Sequence, residues 1–149
     1  MRTYTPVNEA LSALFNGVSV RVDVERVQVS DAFRRIAAES VISKFMTPPF
    51  NLSHVDGYAV RAEDTKSHKS LKIKGSIRLG DTNRIDLLQG EALEIPTGGY
   101  LPNGADAALP VEYSKIDGDS LSCEEPLYEG QNVTQAGSDI SIGQTILKR

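Results

Sequence analysis

The chain has 149 residues, enough for one ordinary domain or two small lobes, and 40% are hydrophobic, which excludes wholesale disorder. Its formal net charge of −4 argues against a dedicated nucleic-acid binder, and a lone cysteine excludes an intrachain disulfide or a cysteine metal cluster. With no apolar stretch near the roughly 18 residues of a membrane span and no apolar signal core at the start, a soluble cytoplasmic protein without a membrane partner is expected.

In chain order, Val7, Ala10, Leu11 and Leu14 share a helical face and predict a helix over Val7 to Phe15, with Asn8 as N-cap and Gly17 as stop. Val18, Val20, Val22 and Val24 alternate with Ser19, Arg21 and Asp23, a strand-like period within Val18 to Val29 that Glu25 and Arg26 interrupt. Ser30 then reads as the N-cap of a second helix to Val41, with an apolar stripe of Ala32, Phe33, Ile36, Ala37 and Val41. Thr47-Pro48-Pro49 ends it, because proline cannot donate to a helix and restricts the residue before it.

Short strands and turns follow. Leu71, Ile73 and Ile77 alternate with Lys72 and Lys74 as a half-buried strand, and Gly75 marks a bulge. Gly80-Asp81 and Gln89-Gly90 are turn signals before a strand at Ala92 to Ile95. Asp117-Gly118, between Val111 to Ile116 and Ser120 to Cys123, predicts a hairpin, with Cys123 as a small buried residue. Charge is uneven: Lys66 to Arg84 holds six Lys or Arg against Asp81 alone, whereas Ile85 to Asp139 holds 11 acidic residues and one base, Lys115. A solvated basic strand face explains the first block, and orientation of an anionic ligand is the other reading. The fold class expected is α+β, mostly β.

Three loop segments carry more special residues than folding requires. In Pro49 to Val60, Asp56-Gly57 fits a tight turn that presents a carboxylate, though alone such a pair is ordinarily a plain turn. His54 suits a proton carrier or a ligand; with only His68 elsewhere, no metal set emerges and a surface histidine is expected. In Pro96 to Ala107, Thr97-Gly98-Gly99 lets a ligand approach the backbone, where free amides suit an anion, but the pattern is neither a P-loop nor a dinucleotide fingerprint. In Gly130 to Ile140, Gly137 and Asp139 again suggest a turn with a carboxylate. No Ser/His/Asp or Cys/His set is evident, and the proximity of the three loops is open.

The order of these loops resembles the molybdopterin molybdenumtransferase (MoeA/gephyrin) family, in its N-terminal region. Val55-Asp56-Gly57-Tyr58-Ala59-Val60-Arg61 is similar to the family's Met-Asp-Gly-Tyr-Ala-Val-Arg. Gly90-Glu91-Ala92, Thr97-Gly98, Leu101-Pro102, Gly104-Ala105-Asp106-Ala107 and Glu112 resemble its next segments, and Gly130-Gln131-Asn132-Val133, Gly137, Asp139-Ile140 and Gly143 its last N-terminal motif. The resemblance implies insertion of molybdate into adenylylated molybdopterin with release of AMP, a divalent cation such as magnesium, and a homodimer. It places Asp56, Thr97 and Asp139 in a catalytic cleft, with Ser53, Gly57, Gly98 and Gly137 as cofactor-binding positions and no metal ligand assigned. It also implies two lobes, residues 1–46 with 126–149 and a β-rich insertion of residues 47–125, with the chain ending about where the family's nucleotide-binding domain begins. Departures are Thr134 for a common Arg, Gly99-Tyr100 for Ala-Pro, Ser138 for Glu and Asn51-Leu52 for Asp-Asn. Half of a composite site is therefore expected; the other reading is a non-catalytic scaffolding relative that kept the fold, in line with Thr134.

Overall fold

The computed structural model describes residues 4–19, 22–66, 70–81 and 85–149. Val20 and Arg21 of the expected first strand, His68, and Lys69 and Arg84 of the basic block lie outside the described residues. The chain divides into two contact units, residues 1–39 with Arg149, and residues 40–148.

The smaller unit carries helix α1, Val7–Gly17, which starts at Pro6 rather than at an Asn8 cap. Proline suits that position because the first helical amides have no internal partner anyway. No residue of α1 is buried. The expected strand from Val18 to Val29 does not form among the described residues, and Val22 and Val24 are exposed without a ladder partner. The expected helix from Ser30 to Val41 is also absent. Only a 3-10 turn, Val29–Asp31, forms, capped by Gln28 rather than Ser30. Arg34 then takes φ of 64°, a left-handed conformation that no right-handed helix continues through. Two members of the stripe stay exposed, Phe33 at 81% and Ile36 at 91%. Amphipathic helices draw most of their stability from burying such a stripe.

The larger unit is mostly β. Its centre is a six-stranded sheet in the order β6-β3-β5-β4-β8-β7. These are β3 Gly57–Val60, β4 Leu71–Ser76, β5 Glu91–Ile95, β6 Ala107–Pro110, β7 Ser114–Asp117 and β8 Ser120–Cys123. Neighbours run antiparallel except β4 and β5. The expected bulge is present, since the β4/β5 register shifts between Ile73 and Ser76 around Gly75. The hairpin is present too, with Gly118 and Asp119 as its loop between paired Asp117 and Ser120, one residue later than expected. Val111–Tyr113, expected as strand, is a 3-10 turn.

β3 and β6 are buried along their whole length because core lies on both faces of the sheet. Tyr58, Val60, Ala107, Leu109 and Leu121 belong to one apolar cluster, whereas Ala59, Leu93, Ile95 and Leu101 belong to another. A short helix, α2 Ala62–Thr65, closes the first cluster. Its buried Thr65 hydroxyl donates to the Ala62 carbonyl at 2.6 Å and accepts from the Leu127 amide at 2.8 Å. Cys123 is only half-buried, and burial pushes its thiol pKa up. Two small ladders complete the unit: β1 Val41–Ile42 with β10 Thr145–Leu147, and β2 Leu52–Ser53 with β9 Val133–Thr134. Among the described residues no helix is long and apolar enough to cross a membrane.

Candidate functional site

The three loops, whose proximity the sequence leaves open, meet at β2. On one side, the Ser53 amide donates to the Gly99 carbonyl and the Gly98 amide returns a bond to the Ser53 carbonyl, both at 2.8 Å. The Leu101 amide continues this ladder onto Asn51 O at 2.7 Å. On the other side, Leu52 pairs with Thr134 and Ser53 with Val133, and the His54 amide donates to Asn132 O at 2.8 Å. A two-residue strand is thus the hub that joins segments about 45 and 80 residues away in sequence, as backbone pairing permits between edges that would otherwise stay unpaired.

Asp56 and Thr97 are brought into direct contact. The Thr97 amide donates to Asp56 Oδ1 at 2.7 Å, while the carboxylate stays at the surface. That bond, then one from the Thr97 hydroxyl, holds the Asp56 pKa below its ordinary value, since both donors favour the ionised form. Ser53 is buried, and its hydroxyl folds back on Val55, donating to the carbonyl at 2.7 Å and accepting from the amide at 3.2 Å. It is therefore turned to the turn that presents Asp56 rather than to solvent.

Asp139 is held separately. Its amide donates to Thr47 O at 3.0 Å, and the Gly137 amide donates to Pro48 O at 2.8 Å. Among the described residues no hydrogen bond or ion pair links Asp139 to the Asp56–Thr97 pair, although the loop that carries both Asp139 and β9 is anchored at two points. A further anchor is Asn51, whose Oδ1 accepts from the Ala136 amide at 2.8 Å. The sequence marks Asn51 only as a departure from the family's Asp, not as an anchor. A small polar residue directly before an alternating pair was the available signal.

The glycines have different reasons to be glycine. Gly57 lies opposite Pro110 in the β3/β6 ladder, and a Cβ there would sit 1.9 Å from Leu109 O. Gly98 and Gly137 take φ of 78° and 74°, conformations that suit a residue without Cβ. The expectation of free amides around Thr97 is not met. The Thr97 amide goes to Asp56, that of Gly98 to Ser53 and that of Gly99 to Pro96 O at 2.9 Å. The physical reason is that the Asp56 carboxylate and β2 take two of these amides and the turn itself takes the third, leaving an anion none of these donors.

Beside the hub lies a cavity of about 350 Å³ walled by Phe50, Asn51, Tyr100, Asn103 and Ala136; Asp56 and Thr97 are not part of its wall. The Tyr100 hydroxyl, tucked against the second apolar cluster, is buried with no hydrogen-bond partner. Among the described residues no group of three or more His, Cys, Asp or Glu side chains is gathered to hold a metal ion.

The profile of the MoeA N-terminal region (domain I and II) matches residues 5–149. A molybdopterin molybdenumtransferase from Haemophilus influenzae is 28% identical over 96% of this chain and 36% of its own length. A putative molybdopterin biosynthesis protein from Methanocaldococcus jannaschii is 30% identical over 100% of this chain and 38% of its own. Two crystal structures of the molybdopterin biosynthesis MoeA protein from Pyrococcus horikoshii superpose with TM-scores of 0.84 and 0.87. They are 34% and 32% identical, covering 98% and 99% of this chain but 38% and 40% of theirs. The chain spans well under half the length of the relatives it matches, and over that span it belongs to the MoeA N-terminal region family.

Proposed function

We propose that this chain acts in molybdenum cofactor biosynthesis, as the N-terminal module of a molybdopterin molybdenumtransferase. In this reading it supplies half of a composite site at which molybdate enters adenylylated molybdopterin and AMP leaves. The observation that carries the proposal is the surface carboxylate of Asp56, kept ionised by the Thr97 amide at a point where three loops converge. An ionised, immobilised carboxylate can orient a water or accept a proton during displacement at phosphorus. Asp139, fixed to Thr47 from the third loop, adds a second carboxylate to the same loop system. In this reading further donors, and the divalent cation, come from outside this chain, which spans 36–40% of the relatives it matches. A homodimer, in which this module faces the nucleotide-binding part of the partner subunit, belongs to the same reading.

The occupied amides of Thr97, Gly98 and Gly137 favour a second reading, a binding relative that retained the fold without the chemistry. Calorimetric titration of the chain with molybdopterin and with adenylylated molybdopterin separates the two. Binding that Asp56→Ala abolishes supports the catalytic module. Binding indifferent to Asp56→Ala supports the scaffold, and a folded sample that binds neither compound overturns the proposal.

A further inference from the structure

The cavity beside the hub holds about 350 Å³, the size of a small-molecule site, and two aromatic residues, Phe50 and Tyr100, stand in its wall. Asp56 and Thr97 lie outside that wall, so the cavity is distinct from the carboxylate assigned to the reacting end. It shares Asn51 with the first loop, directly before the strand that joins the three loops.

Three polar side chains stand in the same wall, Asn51, Asn103 and Asp81, and bonds among the described residues fix what each has left to offer. Asn51 Oδ1 accepts from the Ala136 amide at 2.8 Å, which sets the orientation of the carboxamide and leaves Nδ2, a donor. Asn103 is set the other way, since its Nδ2 donates to Asp86 Oδ1 at 2.8 Å and leaves Oδ1, an acceptor. Asp81 gives one carboxylate oxygen to the Arg78 amide at 2.8 Å and keeps the other, a second acceptor. One side-chain donor and two acceptors beside aromatic residues call for a flat ligand that carries two donors and one acceptor.

The adenylylated substrate has two flat ring systems, and only one has that complement. The pyrimidine edge of a pterin presents two adjacent donors, the 2-amino group and N3–H, beside the acceptor O4. Adenine presents the reverse, one amino donor between the ring acceptors N1 and N7. We propose that this cavity is the pterin-ring subsite, with Asn51 donating to O4 while Asn103 and Asp81 accept from the 2-amino group and N3–H. The inference rests on the function proposed for the chain, which names the substrate but not the place of its ring.

The test is amide shift mapping and fluorescence titration of the chain with pterin, with lumazine, which carries an oxygen in place of the 2-amino group, and with AMP. Pterin is expected to move the amides of Asn51, Tyr100, Gly104 and Ala136, all in the wall. Lumazine should bind roughly tenfold more weakly, the loss of one hydrogen bond, and AMP should not displace pterin. Asn51→Asp keeps the oxygen that the Ala136 amide needs and turns the remaining donor into an acceptor. That variant should weaken pterin binding roughly tenfold at an unchanged melting temperature. Equal binding of pterin and lumazine, or displacement of pterin by AMP, overturns the assignment. So does pterin that leaves the wall amides unmoved while adenylylated molybdopterin still binds, and the functional reading then stands. A folded chain that binds neither compound overturns both.

Discussion

Replacing Gly57 by alanine is expected to damage the fold through space alone. Gly57 is paired with Pro110 on one side and Ile95 on the other, in the strand between β6 and β5. An alanine Cβ would lie 1.9 Å from Leu109 O, 2.9 Å from its carbonyl carbon and 3.0 Å from Pro110 Cα. A comfortable carbon–oxygen approach is roughly 3.3 Å, so the neighbouring backbone must retreat by roughly 1.4 Å. No flexible side chain is there to give way, and β6 is itself fully buried. Overpacking typically costs 1–3 kcal/mol and sometimes more; here about 3 kcal/mol is expected. For a unit of this size that lowers the melting temperature by on the order of 10 °C. The comparison is thermal unfolding by circular dichroism beside Gly118→Ala, a hairpin glycine with φ of 60° and no atom within 4 Å of a new Cβ. That control carries only a dihedral penalty of about 1 kcal/mol. A Gly57→Ala protein that melts at or above the control would refute the reasoning.

Three other perturbations test separate parts of the structure. Thr65→Val leaves the buried Leu127 amide without its acceptor and should cost about 1–3 kcal/mol, read as a lower urea midpoint at unchanged slope; an unmoved midpoint would contradict the assigned bond. Tyr100→Phe removes a hydroxyl that is buried without a partner and should be neutral or stabilising by up to about 2 kcal/mol, whereas a clear loss of stability would reveal a partner for the hydroxyl. For Asp56, the Thr97 amide binds the ionised carboxylate, so the link is intact above the ordinary carboxylate pKa and is lost as pH falls through the lower folded value. The Thr97 amide resonance should follow this with a midpoint below 3.8, and a midpoint at or above it would show that the bond does not favour the ionised form.

The larger unit was the legible part of the sequence. Alternation at Leu71 to Ile77, the glycine at position 75 and the Asp117-Gly118 pair all mark features that backbone geometry alone demands, and each appears within a residue of its expected place. The smaller unit misled for a physical reason. Ser30 and the stripe through Ile36 satisfy helix patterning, but a stripe predicts a helix only if something covers it, and Phe33 and Ile36 are exposed. The valines at 22 and 24 alternate as a strand does, yet alternation does not supply a ladder partner. At the site, the resemblance singled out Asp56 and Thr97, and the structure joins them by a hydrogen bond. What local sequence does not carry is the allocation of amides, since whether Gly98 N–H is free depends on a strand more than 40 residues away. The hub itself is two residues long, too short to leave a period.

Under the proposed function, the loops meeting at Leu52–Ser53 form the surface that receives adenylylated molybdopterin. Amide chemical-shift mapping of the isotope-labelled chain during titration with that compound tests it most directly. Perturbations are expected to concentrate at Ser53, His54, Asp56, Thr97, Gly98 and the residues around Gly137, with the β7–β8 hairpin unmoved. Saturable binding whose shifts fall on that hairpin, or no shift in the three loops at saturating ligand, would contradict it.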